Sequence, residues 1–220
     1  MELELVIFDM DGVIFDSEKV YYHANKLAAE KLKMDYSLDY YKQFIGAGTE
    51  PMKEQMIKDY GNDRTLIEDF LKLSSQYVHP LVERGELLVK PGFIALTDYL
   101  RAKEIPYVVA SSNYRSEIEF FLDHTPVDKH GFKEIISAED VHETKPAPEI
   151  FLTAFKKGGA KDKNKALVIE DSANGILAAN RANLPVIMVP DVIEPTPTQE
   201  KQTLAILDDL NAVRSFITTH

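Results

Sequence analysis

The sequence predicts an α/β fold: a parallel sheet flanked by helices, with a helical domain inserted behind the first strand. Three observations predict it. Short, unalternated apolar runs rich in Val and Ile recur along the chain with helical patterns between them, which suits strands buried on both faces. Nearly a hundred residues separate the first run from the second, far more than one crossover helix requires. Four groups of polar or acidic residues fall at or just past predicted strand ends, the edge where open α/β sheets bind ligands.

In chain order, Leu3 to Phe8 is the first strand. Ser17 is positioned to cap a helix with Val20, Tyr21, Ala24, Leu27, Ala28 and Leu32 on one broad face. Thr49 starts a second helix with Pro51 in its first turn, and Gly61 follows its last turn. Thr65-Leu66-Ile67-Glu68 fits a capping box before a third, with Leu66, Ile67, Phe70, Leu71 and Tyr77 inward. The insert therefore spans residues 17–86, and the sheet domain comprises 1–16 and 87–220. Pro91-Gly92 opens the next helix of the sheet domain. Tyr107 to Ala110, Glu134 to Ser137, Ala166 to Ile169 and Val186 to Val189 follow as strands, with Leu204 to Leu207 at an edge.

Composition bounds the function. The chain has 220 residues, 45% hydrophobic and 28% charged, ordinary for a globular protein with a sizeable core. A formal net charge of -11 argues against nucleic acid as a partner. The absence of cysteine excludes disulfides, thiolate catalysis and cysteine-rich zinc sites. Met1-Glu2-Leu3-Glu4 is unlike a secretory start, and no apolar run is long enough to span a bilayer, so a cytoplasmic protein without membrane contact is expected.

The strand-end groups are Asp9-Met10-Asp11-Gly12, Ser111-Ser112-Asn113, Lys145 before Pro146-Ala147-Pro148, and Glu170-Asp171-Ser172. Carboxylates brought together repel unless a hard cation lies among them, and magnesium suits oxygen ligands. One carboxylate can serve as a nucleophile, and a second two residues on as general acid and base. Ser111, with Ser112 and the amides that follow, can hold phosphate oxygens, and Lys145 supplies compact positive charge. Each group taken alone has a plainer reading. Asp9 and Asp11 would then form a capped turn, Ser111 an N-cap, Lys145 a solvated loop residue, and Glu170 and Asp171 helix-start charges. Their ordered occurrence at matching strand ends favours chemistry.

Phe8-Asp9-Met10-Asp11-Gly12-Val13 resembles the first motif of the haloacid dehalogenase superfamily. Ser111, Lys145-Pro146-Ala147-Pro148-Glu149-Ile150-Phe151 and Glu170-Asp171-Ser172-Ala173-Asn174-Gly175 are similar to its second, third and fourth. The resemblance covers essentially the whole chain. It implies a Rossmann-like core, and the insert matches the helical cap of the branch containing β-phosphoglucomutase and related sugar-phosphate phosphatases. It implies Asp9 as nucleophile and magnesium ligand, and Asp11 as general acid/base with its backbone carbonyl on the metal. Asp171 is then the third protein ligand, and Glu170 a ligand or a partner behind it. Ser111, Ser112 and Lys145 bind the phosphoryl group, and Lys145 restrains Asp9. Asp11 also argues against halide displacement, because dehalogenase members lack that second aspartate.

The implied activity is magnesium-dependent hydrolysis of a small phosphorylated metabolite, such as a sugar phosphate, by a monomer or weak dimer. The alternatives are a phosphosugar mutase and a phospho-accepting or phosphate-binding regulatory module. Length and insert argue against the latter. The mutase branch carries a histidine in the first cap helix and an arginine after the second. An ungapped comparison puts Tyr21 and Thr49 there, although a shifted register would restore His23. The loop Phe44 to Glu50, with Gly46 and Thr49, is the expected specificity loop.

Overall fold

The computed structural model describes residues 2–45 and 49–219. It divides into two compact units, Met1–Asp16 with Leu88–His220, and Ser17–Leu87. In chain order the elements are β1 Leu5–Phe8, α1 Ser17–Leu32, α2 Leu38–Lys42, α3 Thr49–Asp59, α4 Arg64–Glu83 and α5 Phe93–Ala102. There follow β2 Tyr107–Ala110, α6 Arg115–Asp123, β3 Ile135–Ile136, α7 Glu149–Gly158, β4 Ala166–Glu170 and α8 Ala173–Arg181. β5 Val186–Met188, α9 Pro197–Gln202, β6 Ala205–Ile206 and α10 Leu210–Thr219 complete the chain.

All six strands of the larger unit pair in parallel, in the order β3-β2-β1-β4-β5-β6. Every residue of β1, β2, β4 and β5 is buried, as unalternated apolar strands require. Ile7 of β1 lies opposite Val108 on one side and Val168 on the other. Alternate residues divide between the two faces. Leu5 and Ile7 join Val108, Val168, Phe151 of α7 and Ile176 of α8 in one cluster. Phe8 points oppositely, edge-on to Phe93 of α5 at 5.2 Å and to Tyr107 at 6.1 Å. Strands β2 and β3 lie to one side of β1, and β4, β5 and β6 to the other. The order therefore reverses at β1, and the carboxyl ends of β1, β2 and β4 border the crevice that such a reversal creates.

The helical unit packs α1 to α4 around Ala28, Ala29, Tyr36, Tyr41, Phe44, Met56, Ile57, Ile67 and Phe70. Along α4 the buried residues Ile67, Phe70, Ser74, Val78 and Leu81 follow the three-and-four spacing of an amphipathic helix. A polar link crosses this core: Ser74 Oγ donates to Asn25 Oδ1, and Asn25 Nδ2 donates to Tyr36 Oη at 3.1 Å. Among the described residues no helix is long and apolar enough to cross a membrane.

Two expected caps differ. The cap of α4 is Asp63, whose Oδ1 accepts from Leu66 N at 2.9 Å, so the Thr65 capping box does not form. An aspartate two residues earlier accepts from a free amide of the first turn and starts the helix sooner. Ser17 is already the first residue of α1, and its hydroxyl is buried without a hydrogen-bond partner. The short helix α2, capped by Ser37, was not expected from the pattern.

Candidate active site

The site grows out of strand ends. Asp9 directly follows β1, and its amide donates to Ile169 O of β4 at 3.0 Å, which holds the residue in the sheet. The chain then turns sharply, with Gly12 N donating to Phe15 O at 2.9 Å and Ile14 N to Met10 O at 2.8 Å. Gly12 has φ +74, and a Cβ there would collide with Asp171 Oδ2. Only glycine satisfies both demands at once.

Glu170 ends β4 and is fully buried. Its Oε2 accepts from Asp171 N at 2.8 Å, Ser172 N at 2.7 Å and Ser172 Oγ at 2.9 Å. Its Oε1 accepts from Lys145 Nζ at 2.7 Å. Lys145 Nζ also donates to Asp9 Oδ1 and stands 4.8 Å from the centroid of the Phe151 ring. Lys145 therefore bridges two carboxylates from adjacent strand ends. Ser111, just past β2, is buried, and its Oγ accepts from Asn113 N at 3.1 Å. Asn113 Nδ2 then donates to Asp11 Oδ2 at 2.9 Å. Ser112 is exposed beside them.

Asp9, Glu170 and Asp171 each offer a carboxylate oxygen, all within 4.8 Å of one another. Burial, followed by the charges of Glu170 and Asp11, pushes Asp9 up to about 7 against the pull of Lys145. Asp171 is raised well above the ordinary range by burial, then by repulsion from Glu170, Asp9 and Asp191. Burial works against the charge of Lys145, yet Asp9 and Glu170 together hold its pKa above the usual lysine value. A raised carboxyl binds more protons folded than unfolded between its two pKa values, so stability falls as pH rises across that window. Metal-stripped protein should therefore lose thermal stability between about pH 4 and pH 7. Melting in EDTA across that range tests this, and a flat or rising Tm would contradict it.

This donor set fits a hard divalent cation, because hard oxygen ligands converge and each carboxylate disfavours ionisation of the others. Asp9 and Asp171 are the residues best placed to hold it, with Glu170 third. Glu170 already accepts four hydrogen bonds, which tie it to Lys145 and to the start of α8.

Gly175 admits that arrangement, since a Cβ there would overlap Glu170 Oε1. Gly175→Ala must displace a carboxylate pinned on both oxygens, with an expected cost of about 1–3 kcal/mol. Chemical denaturation of the variant measures it, and a change within experimental error would refute the pinned arrangement.

The remaining sequence candidates lie in the helical unit. Tyr21 is partly buried against that unit's core, and Thr49 is the exposed first residue of α3. His23 pairs through Nδ1 with Glu86 Oε2 at 2.7 Å. Gly46 lies outside the described residues. Sequence reasoning missed the contact of Asn113 with Asp11, the role of Gly175 and the placement of Asp191. Asp191 is itself a carboxylate just past a strand, so the strand-end rule could have flagged it.

Residues 6–189 match the family of haloacid dehalogenase-like hydrolases. The chain is 32% identical to the "Probable pseudouridine-5'-phosphatase" of Drosophila melanogaster, over 92% of this chain and 89% of that protein. It is also 32% identical to (DL)-glycerol-3-phosphatase 2 of Arabidopsis thaliana, over 84% of this chain and 79% of that protein. Among solved structures it resembles a β-phosphoglucomutase from Clostridium difficile, with a TM-score of 0.75 and 23% identity over 98% of this chain and 96% of that one. This last likeness is one of fold.

Proposed function

The chain belongs to the haloacid dehalogenase-like hydrolase family and is a phosphatase of phosphorylated metabolites, and from that premise we propose that it hydrolyses its substrate through an aspartyl phosphate on Asp9 with magnesium as cofactor. The observation that carries this reading is the buried Lys145 bridge between Asp9 and Glu170, with Asp171 completing the carboxylate cluster. Lys145 anchors Asp9 Oδ1, so the other oxygen is the attacking one. It forms a bond to phosphorus as the ester P–O bond breaks, and Asp11 protonates the departing alkoxide. Asp11 then takes a proton from the water that cleaves the acyl phosphate. Asn113 orients the Asp11 carboxylate for both transfers.

Ser111, the amides that follow it and Lys145 bind the phosphoryl oxygens. Magnesium held by Asp9 and Asp171, beside Glu170, would neutralise the charge of the transferring phosphoryl group. Tyr21 and Thr49, lacking the histidine and arginine of the mutase branch, favour water as acceptor. The substrate class is small phosphate monoesters of polyols, sugars or nucleosides. Its test is phosphate release with magnesium from a panel including pseudouridine 5'-phosphate, glycerol 3-phosphate, hexose phosphates and an aryl phosphate. No release from any of them would refute the reading.

A further inference from the structure

We infer that Asp191 is an outer carboxylate of the cation site, a positioning residue that raises its affinity for a hydrated divalent cation. The inference rests on the proposed metal reading and extends it to a residue outside the four motifs. Asp191 lies just past β5, and its side chain is 8% exposed. Its Oδ1 accepts from Lys90 Nζ at 2.6 Å. Its Oδ2 is buried and has no hydrogen-bond partner. A buried charged oxygen without a partner is costly, and its persistence calls for a compensating ligand.

The position says which ligand. Gly12 is flanked by both acids: a Cβ built on it would collide with Asp171 Oδ2 and come within 3.2 Å of Asp191 Cβ. Two carboxylates held on either side of one glycine in a buried site repel each other. A lysine staple alone would account for Oδ1, but it leaves Oδ2 unsatisfied and the repulsion with Asp171 in place. Magnesium dehydrates reluctantly and keeps several waters, so an acceptor behind its protein ligands is satisfied by that hydration shell. The same cation relieves the repulsion.

Asp191→Asn separates the two roles. The amide oxygen keeps the bond from Lys90, while the unpartnered acceptor becomes a donor and the charge is lost. Isothermal titration of metal-stripped protein with magnesium chloride should show a Kd about 10–100-fold weaker than wild type. Its Tm in EDTA should match or exceed that of wild type, because one repelling charge is gone. Lys90→Met, which breaks the staple and keeps the carboxylate, should bind magnesium within a few-fold of wild type. Wild-type affinity in Asp191→Asn would overturn the inference, and so would an equal loss in Lys90→Met. If wild type itself binds no magnesium, the metal reading fails first; Asp171→Asn, expected to abolish binding, marks that case.

Discussion

Asp9→Asn should lower kcat/KM for the best substrate by at least about 10⁴-fold while leaving the fold intact. Asparagine matches aspartate in shape, and its Oδ1 can still accept from Lys145. It cannot attack phosphorus. The stability arm of the prediction separates this from a general folding defect. Burial disfavours the charged form of Asp9, whose pKa is pushed up to about 7, so at pH 8 the wild-type carboxylate is ionised at a cost. Neutralising it should leave the Tm in EDTA at pH 8 unchanged or higher. Rapid acid quench of wild type with substrate should trap a base-labile acyl phosphate that is absent from the variant. A variant retaining more than about 1% of the activity would remove Asp9 as nucleophile, since general-base or positioning losses can be that small.

Much of this site was legible because its residues adjoin strands that the sequence displays openly. Leu5 to Phe8, Tyr107 to Ala110 and Ala166 to Ile169 are apolar on every position, and Asp9, Ser111 and Asp171 follow within a residue or two. Strand adjacency is local information, and the parallel pairing brings those ends together. Lys145, expected among the strand-end groups, instead lies in the loop well past β3 and just before α7, and was legible through its Lys-Pro motif. What stayed hidden depends on side-chain direction or on distant pairing. Glu170 turns one oxygen toward Lys145 and the other toward the start of α8, which its identity as an acid does not reveal. Gly175 matters only once that orientation is known. Asp191 stands beyond Pro190, and its partner Lys90 is 101 positions away in sequence. The start of α4 was ambiguous because Asp63 and Thr65 are both acceptable caps locally, and the Leu66 amide bonds Asp63.

Lys145→Met should produce the second large effect, on stability as well as on rate. The lysine is 8% exposed, its cation shared between Asp9 and Glu170 and seated over Phe151. Methionine fills a similar volume but leaves two buried carboxylates facing each other beside Asp171. Removing one partner from a buried ionic group costs about 3–5 kcal/mol, because the remaining charges stay desolvated and uncompensated. For a chain of this length that is roughly 6–20 °C in Tm. The sign of the pH dependence follows from the same groups. At pH 5 Asp9, whose pKa is pushed up to about 7 even with Lys145 beside it, is protonated in the folded state, so less charge is left to repel; at pH 8 its ionisation without the lysine is costly. The deficit in EDTA should therefore widen from pH 5 to pH 8, and magnesium should recover part of it. Activity should remain at least about 10³-fold below wild type even with saturating magnesium, because the phosphoryl oxygens lose their counter-charge and Asp9 its anchor. Lys145→Arg should not restore the rate, since a planar fork cannot occupy the point between Asp9 and Glu170 that an ammonium does. Equal Tm values for Lys145→Met and wild type at pH 8 would show that the carboxylates do not depend on this cation, and the bridging role assigned to Lys145 would fall.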